Sequence, residues 1–327
     1  MGRPVAVTQG DPAGIGPEIT RAAWRALKDG GPVFFVIGDP SLYGPDAAGI
    51  AAPSDASGTF QRALPVLPSR LAVPARPGVP DGRNAPATVS SIERAVGLTV
   101  AGDACGMVTN PIAKSVLREA GFTHPGHTEF VAELTADLPV DGARGPVMML
   151  AGPSLRVALV SIHLPLREAI ASLDAARIQH VARVTHEALK RDFGIEAPRL
   201  ALAGLNPHAG ENGHIGREEI EIITPAADAL RADGLDIAGP LPPDAMFHAE
   251  ARAGYDAAIC LYHDQGLIPL KALDFWNGVN VTLGLPIVRT SPDHGTAFDI
   301  AGKGIARADS LIAAIKLAAD MGRRRGV

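Results

Sequence analysis

The chain has 327 residues, beyond the size at which one hydrophobic core usually stops growing, so two lobes with a cleft between them are expected. It is 46% hydrophobic but only 4% aromatic, a globular composition whose Ala, Val, Leu and Ile residues suit helices packed over parallel strands. A net charge of −5, from 30 basic and 35 acidic residues with no basic stripe, removes the electrostatic basis for a nucleic-acid partner.

Taken in chain order, short apolar runs alternate with amphipathic stretches, the pattern of an α/β fold. PVAVT (4–8) reads as a strand. PEITRAAWRALKDG (17–30) reads as a helix, with Pro17 in its first turn, Glu18 at the positive end of the dipole, Ile19, Ala22, Ala23 and Leu27 on one face, and Gly30 as terminator. PVFFVIGDP (32–40) is the next strand, and residues 41–86, rich in Pro, Ala, Ser and Gly, read as short elements with loops. The alternation resumes with a helix over 90–102, a strand over 104–110, a helix over 112–122 and strands over 147–151 and 156–161. It continues with a helix over 175–194, a strand over 199–206, a helix over 217–234, a strand over 256–263 and a last helix near 307–322. No apolar run approaches the roughly 20 residues of a membrane helix, and the opening MGRPVAVTQGDPAG lacks a long apolar segment, so a cytoplasmic protein with no membrane partner is expected. Cys105 and Cys260 lie on separate strand-like runs without CxxC spacing and read as buried thiols.

Chemistry concentrates in the turns that follow the strands, where open α/β sheets place ligands. In TQGDPAGIGPE (8–18) the glycines at 10, 14 and 16 do not fit the G-x-G-x-x-G dinucleotide fingerprint, and they serve either a ligand or simply a tight strand-to-helix turn. His163, His208 and His263 each follow a buried-looking strand; three neutral imidazoles there bind one divalent metal, or else merely cap helices. His180 and His186 read as solvated helix residues, His214 and His248 as either loop or helix-start residues, and His127 and His294 as candidates for substrate contact. Lys271, Asn280 and Arg289 combine two cations and an amide in the pattern that holds a phosphate dianion, the alternative being scattered surface charge. The apolar flanks of Arg289 imply a partly buried guanidinium that needs an anionic partner.

Over nearly its whole length the chain resembles the 4-hydroxythreonine-4-phosphate dehydrogenase family, most specifically in six ordered motifs, GDPAGIGPE (10–18), PGHTEF (125–130), HLPLR (163–167), GLNPHAGENGHIGREE (204–219), YHDQGLIPLK (262–271) and GVNVTLGLPIVRTSPDHGTAFDIAGKG (278–304). The resemblance implies two α/β/α lobes with a cleft, similar to isocitrate and isopropylmalate dehydrogenases. The first lobe is expected over 1–126 plus 286–327 and the second over 127–285. It implies one divalent ion (zinc, cobalt or magnesium) on His163, His208 and His263, substrate contacts from His127 and Thr128, phosphate binding by Lys271, Asn280 and Arg289, and NAD or NADP as oxidant. A homodimer with shared active sites is implied as well, and Asp244, Asp264 and His127 are the candidates for the proton relay.

The implied reaction is oxidation of 4-phosphohydroxy-L-threonine to 2-amino-3-oxo-4-phosphooxybutanoate, which loses carbon dioxide to give 3-amino-2-oxopropyl phosphate in vitamin B6 biosynthesis. Two departures from the family pattern, TQGDPAG for TPGEPAG and TNPIAK without a histidine before Lys114, leave phosphorylated threonate or erythronate, or an aromatic cis-diol, as other acids to weigh. Retention of Lys271, Asn280 and Arg289 favours a phosphorylated substrate. A metal-dependent hydrolase or aldolase would need no nicotinamide, and an anion-binding protein would bind its ligand with the metal removed.

Overall fold

The computed structural model describes residues 2–327. Its strands are β1 (Val5–Thr8), β2 (Phe34–Gly38), β3 (Ala47–Gly49), β4 (Leu64–Pro68), β5 (Gly106–Val108), β6 (Val147–Ala151), β7 (Arg156–Leu159), β8 (Arg199–Ala203), β9 (Asp236–Leu241), β10 (Ala257–Cys260), β11 (Val279–Leu283) and β12 (Arg289–Pro292). The chain divides into two compact units, one running up to Pro139 and taking up Leu285–Val327, the other comprising Val140–Gly284.

In the first unit the strand order is β3-β4-β2-β1-β5-β12, and every pairing is parallel. Strands buried on both faces must be apolar throughout, and VAVT and FFVIG are fully buried. Helix Gly16–Leu27 buries Ile19, Ala23, Trp24 and Leu27, whereas Ala22 is exposed. Trp24 takes the place expected of Ala22 because its indole N–H reaches the Phe60 carbonyl at 2.7 Å, which satisfies its one polar atom inside the core. Helix Ala85–Val100 starts earlier than expected, with Pro86 in the first turn, where a missing N–H costs nothing.

Helix His127–Leu134 goes with this unit, not with the second as expected from sequence. Phe130 and Val131 pack in the core formed by Ile92, Ala95 and Met107, and the Phe130 and Phe122 rings meet edge to face at 5.0 Å. That burial decides the boundary, which lies at 139/140 rather than 126/127; the return lies at 284/285.

The second unit has the order β11-β6-β7-β10-β8-β9, with β11, β6 and β7 antiparallel to one another and β7, β10, β8 and β9 parallel. Its core includes Val157, Leu159, Ala201, Ala203, Ala258 and Cys260. The helix expected over 217–234 is a π-turn, Glu219–Ile223, running into Thr224–Ala232. Pro225 has no N–H to give to the preceding turn, which is a sufficient reason for the irregularity. Cys105 and Cys260 are buried free thiols, pushed up to about 11 and about 12 by burial, so neither is a nucleophile at neutral pH. Among the described residues no helix is long and apolar enough to cross a membrane.

Candidate functional site

Parallel strands deliver their C-terminal ends to one edge, and β7, β10 and β8 are adjacent parallel neighbours. His163 follows β7, His263 opens helix His263–Leu273 directly after β10, and His208 follows β8. All three predicted metal histidines therefore sit on one edge of the second unit. The rings of His163 and His263 are 6.0 Å apart between centroids, and both line a cavity of about 270 Å³ with Ile162, Leu164, Tyr262 and Asp264. Two imidazoles with N–metal bonds of about 2.0–2.1 Å can span that separation around one ion. The Asp264 carboxylate lies 2.7 Å from Nδ1 of His263, which fixes the orientation of that ring.

His208 begins a run of five left-handed residues, with φ of 54°, 50°, 79°, 43° and 55° from His208 to Asn212. Each non-glycine residue in that conformation costs about 1–2 kcal/mol, so the surroundings must enforce the turn. They do so through Glu219, 3% exposed, whose carboxylate accepts from the Leu205 N–H at 2.8 Å, the Asn206 N–H at 2.7 Å and the Asn206 side-chain amide at 2.8 Å. At Gly210 a Cβ would stand 2.6 Å from the Glu219 carboxylate, so only glycine fits at the middle of the turn.

Gln265, 6% exposed, joins the two strand ends: its Oε1 accepts from the Leu261 N–H and its Nε2 donates to the Gly204 carbonyl, both at 2.7 Å. Sequence reasoning missed Glu219, Asn206 and Gln265. The density of Gly and Asn in GLNPHAGENG was the available signal for an unusual turn.

Among the described residues no group of three His, Cys, Asp or Glu side chains stands close enough to enclose an ion. The donor chemistry nevertheless fits a divalent ion, because imidazoles emerge from adjacent strand ends and a carboxylate orients one of them. In the same unit the Lys271 ammonium lies 5.4 Å over the Phe275 ring, and the side-chain oxygen of Asn280 on β11 is shut off from solvent without a hydrogen-bond partner. Asp244 stands exposed on the short helix Pro243–Met246.

The remaining predicted residues fall in the first unit. Arg289, on β12, is 3% exposed and donates to Thr109 Oγ1 at 2.7 Å. Burial pulls its guanidinium down to about 10, while the Glu129 carboxylate works against that shift. His127 and Thr128 begin helix His127–Leu134 and are half-buried; Nε2 of His127 is closed to solvent and has no partner. Desolvation, then the positive charges of Arg289 and Lys114, hold His127 well below its usual range, so the ring is neutral at pH 7.

The glycine turn after β1 answers the question left open by its sequence. A Cβ at Gly10 would lie 2.7 Å from the Pro111 carbonyl, and one at Gly14 would lie 2.9 Å from the Thr296 carbonyl, so both glycines serve close backbone packing. Of the other histidines, His180 and His294 are exposed and His248 caps the N-terminus of helix Ala249–Arg252. His186 departs from expectation: it is half-buried on a helix packed over the sheet, and desolvation lowers its pKa.

Comparison with known proteins gives these placements their context. A 4-hydroxythreonine-4-phosphate dehydrogenase from Caulobacter vibrioides is 57% identical to this chain over 99% of both proteins. The crystal structure of a 4-hydroxythreonine-4-phosphate dehydrogenase from Klebsiella pneumoniae superposes with a TM-score of 0.87 at 39% identity, covering 98% of each chain. A terephthalate 1,2-cis-dihydrodiol dehydrogenase from Burkholderia xenovorans also shares the fold, with a TM-score of 0.65 at 28% identity over 98% of each chain. Residues 34–318 match the model of the pyridoxal phosphate biosynthetic protein PdxA, and the chain belongs to that family.

Proposed function

We infer that this protein is a nicotinamide-dependent dehydrogenase that oxidises 4-phosphohydroxy-L-threonine at its secondary alcohol, in the biosynthesis of pyridoxal phosphate. The observation that carries the reading is the end-to-end identity of 57% with a relative of that name. In the reaction the C–H bond of the carbinol carbon breaks with its electron pair, the hydroxyl loses its proton and a ketone forms. NAD or NADP, when bound, accepts the hydride. The carboxylate of the product is beta to the new ketone, so the C–C bond to it breaks readily, releasing carbon dioxide and leaving 3-amino-2-oxopropyl phosphate once the enolate takes up a proton.

His163, His208 and His263 would hold a divalent ion, zinc, cobalt or magnesium, whose Lewis acidity would polarise the hydroxyl being oxidised. Asp264, at 2.7 Å from the His263 ring, is better suited to fixing that ligand than to taking the substrate proton. His127 is kept neutral by burial and can share a hydrogen bond with an anionic substrate. Arg289 supplies a guanidinium held in the interior, where a charge-assisted bond to an oxyanion is strongest. The phosphate-binding roles of Lys271 and Asn280, the homodimer with shared sites and the cytoplasmic location are part of the same reading, supported by the motifs that carry those residues.

The test is initial-rate formation of reduced nicotinamide, followed by its absorbance, with 4-phosphohydroxy-L-threonine, 4-phospho-threonate, 4-phospho-erythronate and an aromatic cis-dihydrodiol. The expected result is the highest kcat/KM with the phosphorylated hydroxythreonine and release of carbon dioxide. Preference for the threonate or erythronate would keep the dehydrogenase and remove the pathway; preference for the diol would overturn the phosphate assignment too.

A further inference from the structure

Lys114, the last residue of TNPIAK, stands in the first unit near His127. It is the first residue of helix Lys114–Glu119, and its Nζ lies 3.2 Å from where a Cβ on Gly126 would be. Gly126 immediately precedes His127, so the ammonium is held against the start of helix His127–Leu134 by the absence of a side chain there. The first turn of that helix has no side-chain cap. No ion pair within 4.0 Å engages Lys114 among the described residues, although the Glu129 carboxylate lies 3.4 Å from the same Gly126 point.

The three groups act on one another: the charges of the exposed Lys114 and of the Arg289 guanidinium, at 3% exposure, both bear on His127, whose Nε2 is closed to solvent and without a partner. Two cations are set against one carboxylate, Glu129, around a neutral imidazole. Such a corner carries a net positive charge, with the guanidinium and the imidazole poorly solvated, and a buried polar nitrogen left without a partner is costly unless a ligand completes it. An oxyanion satisfies both requirements, neutralising the excess charge and giving the imidazole a partner.

We propose that Lys114 is a further substrate-binding residue, which together with His127 and Arg289 grips one oxyanion of the substrate, with Gly126 retained so that the ammonium can approach. The proposal rests on the dehydrogenase reading for the identity of the substrate, but not for the existence of the anion site. The oxyanion is either the phosphate or the carboxylate of the phosphorylated hydroxy acid, since both offer the same acceptor chemistry.

Binding of inorganic phosphate and of malonate to the intact protein, measured by calorimetry for wild type, Lys114→Ala and Lys114→Arg, separates these sources without relying on turnover. Losing a charge-assisted bond should weaken binding by about tenfold to a hundredfold in Lys114→Ala, with Lys114→Arg recovering most of it. Weakening confined to phosphate assigns the corner to the phosphate, and weakening confined to malonate assigns it to the carboxylate. A parallel rise of KM for 4-phosphohydroxy-L-threonine at nearly constant kcat, with KM for NAD unchanged, is the kinetic counterpart. Unfolding midpoints equal to wild type are expected, because Lys114 is exposed. Wild-type affinity for both probes in a folded Lys114→Ala protein would overturn the proposal, whether or not the substrate assignment stands; absence of turnover with unchanged probe results would instead fault the substrate assignment alone.

Discussion

In the first unit the Arg289 guanidinium and Nε2 of His127 are closed off from solvent, whereas in the second His163 and His208 are exposed. Arg289 is 3% exposed and His127 is held neutral by burial, so the first unit gives up solvation to hold a guanidinium and a neutral imidazole. The second unit exposes His163 and His208 and spends backbone strain instead, in the five left-handed residues that begin at His208. Substitutions in the first corner should therefore alter substrate binding and pH behaviour, while those in the second should alter metal affinity and release strain.

The largest expected effect is that of Arg289→Met, a fall in kcat/KM for the phosphorylated substrate of about a thousandfold, or about 4 kcal/mol. Because an apolar side chain of similar length replaces a buried cation, the urea midpoint should hold or rise. A comparable loss of stability would show that the guanidinium is a structural group and would erase the contrast between the units. Next in size, His208→Gly should weaken zinc binding by about a hundredfold, as read by competition with a chromogenic chelator. The same change should raise the melting temperature of the metal-free protein by about 2 °C, since glycine relieves the left-handed strain.

Gln265→Leu probes the layer behind the histidines. It leaves the Leu261 N–H and the Gly204 carbonyl without their partner and should cost about 2–3 kcal/mol in chemical denaturation. The smallest effect is a pH dependence. The folded pKa of His127 lies below its unfolded value, so the unfolded chain binds the proton first and stability falls as pH drops below about 6.5. Arg289 and Lys114 face the ring and oppose its protonation, while Glu129 is the nearby carboxylate. His127→Gln should flatten the stability profile between about pH 7 and pH 5; an unchanged slope would place the acid sensitivity elsewhere.

The sequence made the parallel architecture legible because strands buried on both faces must be continuous apolar runs, as in VAVT and FFVIG. It also placed His163, His208 and His263 after such runs, which is where β7, β8 and β10 deliver them. It did not show that helix His127–Leu134 belongs to the first unit, because that depends on Phe130 and Val131 meeting Ile92 and Met107 from distant parts of the chain. Nor did it reveal Glu219 and Gln265, whose roles are hydrogen bonds to backbone groups of other segments and leave no spacing to read. Lys114 escaped for the same reason: its neighbour is a glycine, and the approach becomes visible only when the missing Cβ is placed.

The most direct test of the central claim is formation of reduced nicotinamide by EDTA-treated protein with 4-phosphohydroxy-L-threonine and NAD, before and after addition of zinc, cobalt or magnesium. The account predicts no turnover without metal, recovery with at least one of the three ions, and no recovery in His208→Ala. Full activity in the metal-free protein, or unchanged recovery in His208→Ala, would contradict it.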